Sequence, residues 1–272
     1  MTARIVLDLD EEDYHADPAL SASGAKRLIQ TCPAIFHWER THGRPEKRAF
    51  DFGHAAHGLV LGIGQPVAVV DADSWRTKAA QEQQKDAYDA GRVPLLTAEW
   101  EQVQAMAEAL RKDPLAALVL DPERGVAEQS YFWTDERWGV QRRARLDWRT
   151  DVGGRICAVD YKTSVTADPR QIPKRVADFG YHMQDAFYRD AMVAAGLDDD
   201  PAFLFVFQEK TPPYLVTVVE LDDDAVRAGR ARNDRALEVF RDCTEAGIWP
   251  GYSDQIELIS LPFWATRDLE NA

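Results

Sequence analysis

The 272-residue sequence predicts a mixed α/β (α+β) fold: a central mixed sheet of about five strands flanked by helices. Three observations carry this expectation. The runs VAEQSYFW, GVQRRARLDW and RICAVDYKTS alternate apolar and polar residues, and the turn-like TDER and TDVGG separate them, as in three antiparallel strands. Two more apolar runs, residues 203–208 and 214–220, follow a helical stretch at 176–195. Helical spacing dominates what comes before and after. The order helices, three strands, helix, two strands, helix is that of a sheet layered by helices. A single domain over 1–272 is expected, with a helical part over about 20–120 and a core over about 121–265.

Each element has its local reason. Ser21-Ala-Ser23 ahead of GAKRLIQ supplies a serine N-cap and then a helical run. Cys32-Pro33 ends that run, and Pro33 can open a second short helix, AIFHWER. Residues 47–61 read as another helix, with Phe50, His54, His57 and Leu61 three or four apart. Alanine-rich polar helices are expected near 74–90 and 97–111. The last long helix spans 223–246 behind a run of aspartates.

Composition narrows the function classes. No run of eighteen apolar residues exists, so no membrane-spanning helix is expected. The opening MTARIVLDLDEEDYH is acidic and lacks the apolar core of a signal peptide, which points to a cytoplasmic location. Cys32, Cys157 and Cys243 are scattered and form neither a disulfide framework nor a zinc motif. The net charge of −14 argues against nucleic acid as a whole. Its distribution does not: residues 1–17 hold one arginine and six acids, whereas 137–175 hold ten Lys/Arg and four Asp/Glu. That asymmetry fits a basic groove in an acidic shell, and equally fits solvated faces of mixed sign.

The chemistry-bearing residues gather on the strands. Asp160 and Lys162 are two apart in AVDYKTS and therefore project to one side of the sheet. A salt bridge explains them; so does a metal site with an amine beside it. Asp147 ends the preceding strand, across a Gly-Gly turn, and Glu128 lies on the strand before that. Converging carboxylates repel unless a cation joins them, and hard oxygen donors suit Mg²⁺, with Mn²⁺ as a substitute. Gln184 and Tyr188 stack at i and i+4 on the next helix, able to pack in the core or to hydrogen-bond a phosphate, a base or the lysine. His57 and His54 compete for any histidine role. Arg142, Arg143, Arg145, Lys174 and Arg175 flank the acids as candidate DNA-phosphate contacts. Arg143 and Arg145 alternate with Asp147 along one strand, so the two arginines could share its face.

Gly53-x-x-x-His57, Glu128, Asp147, Asp160-Tyr161-Lys162 and Gln184-x-x-x-Tyr188 resemble, in order, the motifs of the RecB-type branch of the PD-(D/E)XK nucleases. SASGAKRL with CPAIF near the start, and LPFWA near the end, resemble phage and prophage exonucleases of the exodeoxyribonuclease VIII (RecE) type. The resemblance spans residues 14–264.

It implies a restriction-endonuclease-like core, a metal ion on His57, Asp147, Asp160 and the Tyr161 carbonyl, and Lys162 positioning or deprotonating water. Beside such a cation and buried, Lys162 is expected to have its pKa pushed down. The resemblance gives Gln184 and Tyr188 the task of organising lysine and DNA backbone, and Glu128 a second metal or a bound water. It also implies 5′-to-3′ digestion of linear double-stranded DNA from its ends, in a bacterial cell from a phage or prophage gene. Work beside a single-strand annealing protein, within a ring of three or four copies, belongs to the same implication. Endonuclease or single-strand nuclease action on the same core is the alternative, and a DNA-binding subunit with a vestigial site is the non-enzymatic one. Some relatives carry a four-cysteine iron–sulfur cluster; three scattered cysteines cannot build one, so no cluster is expected.

Overall fold

A computed structural model describes residues 3–43 and 49–266. The acidic arm forms strand β1 (Arg4–Val6) and helix α1 (Glu11–Ala16), then β2 (Leu20–Ser21) leads into α2 (Ala22–Gln30). The Ser21 hydroxyl accepts from the Gly24 amide at 3.1 Å, the expected N-cap. Pro33 opens α3 (Pro33–His42), where its missing N–H costs nothing. Helix α4 runs Ala49–Leu61. The expected start at Lys47 and Arg48 lies outside the described residues.

Strand β3 (Val67–Val70) and β4 (Val93–Leu96) form a small parallel sheet around α5 (Lys78–Asp89). Helices α6 (Thr97–Lys112) and α7 (Pro114–Val119) lead to the three long strands β5 (Val126–Thr134), β6 (Gln141–Val152) and β7 (Arg155–Ser164). Next come α8 (Ile172–Phe179), α9 (Tyr181–Ala194), β8 (Ala202–Glu209), β9 (Val216–Glu220), α10 (Asp223–Ala246) and α11 (Phe263–Thr266).

The main sheet has seven strands, in the order β1-β5-β6-β7-β8-β9, with β2 paired to β6. The mixed α/β class holds, while the expected count of about five lacks β1 and β2. These have three and two residues, too few for alternation to show. Strands β5, β6 and β7 are antiparallel, and β7 pairs in parallel with β8 through α8 and α9, a crossover that parallel pairing requires.

The expected helix over 176–195 is two helices. Gly180 takes φ 63 between them, a left-handed conformation that favours glycine, and a Cβ there would stand 2.9 Å from Lys26 Cδ.

The sheet has a core on each face. Leu20, Tyr131, Leu146, Phe187, Phe203, Phe205 and Leu237 pack one face under α2, α9 and α10. Trp148, Val159, Tyr161 and Val206 pack the other, with Ala55, Ala56, Val103 and Leu110 of α4 and α6. Helices α9 and α10 approach closely because Gly229 has no side chain: a Cβ there would overlap the His182 carbonyl. That contact presses α9, with Gln184 and Tyr188, onto the sheet.

Candidate active site

Two turns set the geometry. Gly153 and Gly154 have φ 66 and 86, the doubly positive pattern of a tight two-residue hairpin, and Val152 pairs with Arg155 across them. Counting back from that pair on each strand places Asp147 opposite Asp160. On the other side of β6, Thr134 pairs with Gln141, and the same counting places Glu128 opposite Asp147. Glu128, Asp147 and Asp160 thus share one row across three neighbouring strands.

The ladder lapses at this row. Ala127 and Gln129 pair with Trp148 and Leu146, but Glu128 between them makes no ladder pair. Pairing of β6 with β7 ends at Trp148 and Val159, and β2 takes the place beside Arg142 and Arg143. The sheet is therefore forked, with the acids at the fork. Glu128 has φ 47, uncommon outside glycine, and the pleat reverses there. Ala127 and Trp148 face the α4 core, whereas Tyr131 and Leu146 face the α9 core.

Like charges directly opposite one another destabilise a sheet, so each acid needs a partner. His57 of α4 reaches Asp147 with Nε2 2.9 Å from Oδ2. Lys162 Nζ lies 2.9 Å from Asp160 Oδ1 and 2.6 Å from Oδ2. Gln184 donates to Asp160 Oδ1 at 2.6 Å. Asp160 Oδ2 is buried with no donor aligned to it despite the nearby ammonium. Tyr188 packs its ring against Phe203 at 5.6 Å and interacts through its hydroxyl with Gln184. Tyr161 turns its side chain to the opposite face, donating to Gln208 Oε1 at 2.6 Å, so only its backbone is available to the fork.

Burial pushes the Asp160 carboxyl up to about 6, with Asp147 adding repulsion and Lys162 opposing. Burial also acts to raise Asp147, but the His57 and Lys162 charges outweigh it and hold that carboxyl below its ordinary range. Burial would lower His57 and Lys162; Asp147 for the one, and Asp160 with Asp147 for the other, raise both instead. The protein's own groups thus hold the Lys162 ammonium charged, so any net depression has to come from a bound cation. The buried Tyr188 phenol is pushed well above its ordinary value and stays neutral.

His54 does not share the position of His57. It is exposed and acts electrostatically on Glu11 of α1, so the histidine on Asp147 is His57. Arg142, Arg143 and Arg145 need correcting as DNA contacts. Arg142 is 3% exposed, with Asp135 at 3.0 Å, Asp190 at 3.2 Å and the Phe187 ring beneath it. Arg143 donates to the carbonyls of Asp17 and His15, and Arg145 to that of Leu9 at 2.7 Å and to the Ser130 hydroxyl at 3.0 Å.

Both Arg143 and Arg145 lie over the ring of Tyr14, at 4.9 and 4.3 Å, so the acidic arm sits on these arginines. Lys174 pairs with Asp178 at 2.5 Å on exposed α8, and Arg175 covers Phe179 at 5.2 Å.

Tyr14 and Tyr181 are site neighbours that sequence reasoning missed. Tyr14, buried against the arginine pair, acts on Tyr188. Lys162 Nζ lies 5.1 Å over the ring of Tyr181. Tyr14 stands in a six-residue helix too short for periodicity, but an aromatic within an acidic run was a usable signal. Tyr181 directly follows the Gly180 break.

Among the described residues no three His, Cys, Asp or Glu side chains form a ready-made metal cage, because His57 and Asp147 close on each other and Asp160 is held by Lys162 and Gln184. The donor set still fits a hard divalent ion: an imidazole, two carboxylates in one row and a buried Asp160 Oδ2 that no hydrogen bond saturates. Cys32, Cys157 and Cys243 are free and buried. No described helix is long and apolar enough to cross a membrane.

A family model described as a PDDEXK-like domain of unknown function (DUF3799) matches residues 21–262. Among solved structures, one described as a "Putative exonuclease" from Eubacterium rectale superposes with a TM-score of 0.65 at 13% identity, over 96% of this chain and 98% of that one. At that identity the likeness shows the fold. Protein VC1899 from Vibrio cholerae aligns over 90% of this chain and 59% of its own at 11% identity, but its TM-score of 0.25 carries no weight. No curated protein matches.

Proposed function

Since the chain belongs to the PDDEXK-like family DUF3799, we propose that it is a divalent-metal-dependent nuclease hydrolysing phosphodiester bonds of DNA at the fork of its sheet. One observation carries the reading: Glu128, Asp147 and Asp160 share a cross-strand row with Lys162 and His57 against it. His57, Asp147, Asp160 and the Tyr161 carbonyl would hold Mg²⁺ or Mn²⁺, with Glu128 serving a second ion or a bound water. Such an ion, when bound, polarises the scissile phosphate and acidifies water.

The protein's own groups do the rest. Lys162, beside Asp160, positions or deprotonates the attacking water and offsets charge building on the phosphoryl oxygens. Gln184 fixes Asp160 and through it Lys162. Neutral Tyr188 supports Gln184 from below. Lys174 and Arg175, on exposed α8, are the cations of the expected set that a passing strand can reach. Phosphate contacts position without reading bases, so cleavage is expected to be sequence-tolerant.

In the finer reading the enzyme is a 5′-to-3′ exonuclease on linear double-stranded DNA. It acts in phage-type recombination in a bacterial cytoplasm, with a single-strand annealing protein and as a ring of three or four copies. The RecE-type resemblance of SASGAKRL, CPAIF and LPFWA supports this.

The test is Mg²⁺ with end-labelled linear duplexes, with and without 5′-phosphate, beside closed circular and single-stranded DNA. The reading expects loss of linear duplex from the 5′ end, abolished by chelation. Cut circles would make the enzyme an endonuclease, and inertness towards every substrate would leave a binding subunit.

A further inference from the structure

Tyr181 opens α9, and its ring is fixed by its neighbours. Gly180 ahead of it takes φ 63 and parts α8 from α9, so Tyr181 begins a new helix instead of continuing the old one. Its ring stacks on Phe179 with centroids 5.6 Å apart and planes 20° from parallel. It also packs on Phe205 at 5.6 Å and on Phe207 at 6.0 Å. Those two phenylalanines are the β8 partners of the site itself, since Phe205 pairs with Asp160 and Phe207 with Lys162. The ring therefore stands beside Asp160 and Lys162, on a floor that the same ladder lays down.

Lys162 has two neighbours of different kinds. Its Nζ lies 2.6 Å from Asp160 Oδ2 and, over the face of the Tyr181 ring, 5.1 Å from the centroid. An ion pair sets how far an ammonium stands from a carboxylate, but the flexible stem of a lysine leaves its direction open. A ring face attracts a cation through its quadrupole, most strongly where water is thinned. The Lys162 side chain is only 22% exposed, so this contact is largely desolvated. That the face draws cations is visible twice, because Nζ of Lys26 in α2 lies 5.8 Å from the same centroid.

The geometry points to Tyr181 as a positioning residue for Lys162, its ring face holding the ammonium at the fork. Two attractions of different origin select a position where one selects only a distance. What the lysine then does rests on the nuclease reading; the contact does not. In that reading Asp160 is also a metal ligand and shares its hold on Lys162, whereas the ring has no second duty.

Steady-state cleavage of an end-labelled duplex tests the role. Tyr181→Leu keeps an apolar side chain on Phe205 and Phe207 but removes the ring face. It should lower kcat about tenfold, the scale of a desolvated cation–π contact, with KM unchanged. Tyr181→Phe should recover the rate, and melting should show both variants folded. In a Lys162→Ala background Tyr181→Leu should cost nothing more, because the ring acts through the lysine. The contact has its own readout in metal-free protein without DNA. The ε-methylene NMR signal of Lys162, identified by its loss in Lys162→Ala, should be displaced by the ring, move on Tyr181→Leu and stay on Tyr181→Phe. An active wild type whose kcat ignores Tyr181→Leu, an equal further loss in the Lys162→Ala background, or a lysine signal unmoved by Tyr181→Leu would overturn the inference. A wild type inert on DNA whose lysine signal still moves would sink the nuclease reading and leave the contact standing.

Discussion

Strand β6 has two halves that behave differently. From Trp148 to the Gly-Gly turn it is an ordinary hairpin arm, paired throughout with β7, at Trp148 and Arg149 with β5 as well, and packed on the α4 core. From Gln141 to Leu146 it has parted from β7, lies beside β2, and turns Leu146 and Ala144 to the α9 core. Asp147 stands where one becomes the other. The paired half sets the distances between the acids, and the parted half takes them off the ladder without breaking the strand. The arginines divide in the same way: Arg149 pairs with both β5 and β7, whereas Arg143 and Arg145 pair with β5 beyond the reach of β7 and are taken up by the arm.

Breaking the chemistry at the junction should have the largest effect. Asp160→Asn or Lys162→Ala should lower the initial rate on an end-labelled duplex by about a thousandfold, the scale of losing a positioned charge or proton-handling group, with DNA binding by anisotropy largely kept. An active Lys162→Ala would remove the lysine from the mechanism. Next comes the parted half. Arg142→Ala empties a buried site and takes one partner each from Asp135, which keeps the Arg137 and Trp138 amides, and Asp190, which keeps Arg230, so it should cost about 3 kcal/mol in urea unfolding, the low end for breaking a buried pair. A cost near zero would make Arg142 a surface group in effect.

The paired half should respond more mildly. Gly154→Val forces a β-branched residue to positive φ and should destabilise by about 1–2 kcal/mol, with the folded fraction still active if the register survives. The smallest effect belongs to Lys174→Ala, within about 0.5 kcal/mol in stability because its ion pair is exposed, read instead as weaker DNA binding at low salt.

Acid sharpens the comparison further. With its carboxyl at about 6, Asp160 loses the charge that Lys162 and Gln184 hold as pH falls through that value, so the rate should drop there. For stability the sign is opposite. The raised value means that the fold favours the protonated acid, so this group's contribution is full below its ordinary 3.8 and is lost as pH rises through about 6. A rate profile flat down to pH 5 would show that Asp160 is ionised far more easily than its burial implies.

The paired half was legible in the sequence and the parted half was not. TDVGG announces the turn, alternation announces the strands, and together they bring Asp147 level with Asp160. Alternation could not show that Arg143 and Arg145 are taken up by the acidic arm, because their carbonyl partners Asp17, His15 and Leu9 stand far off in the sequence. Strands β1 and β2 escaped notice because they exist by pairing with β5 and β6, not by local preference. For a related reason the sequence shows only part of what acts on Lys162: burial can be guessed from one residue, but the two carboxylates that outweigh it in the protein's own field come from two strands.

The hairpin between the two aspartates works as a gauge of length. Replacing a side chain inside it alters packing locally, but adding or deleting one residue on a single arm would carry Asp160 to the other surface of the sheet and take Lys162 with it. Divergence in this family should therefore be lenient towards identity and strict towards spacing between these two acids. An unequal arm, whatever the residues on it, would mark a chain that has given up this chemistry.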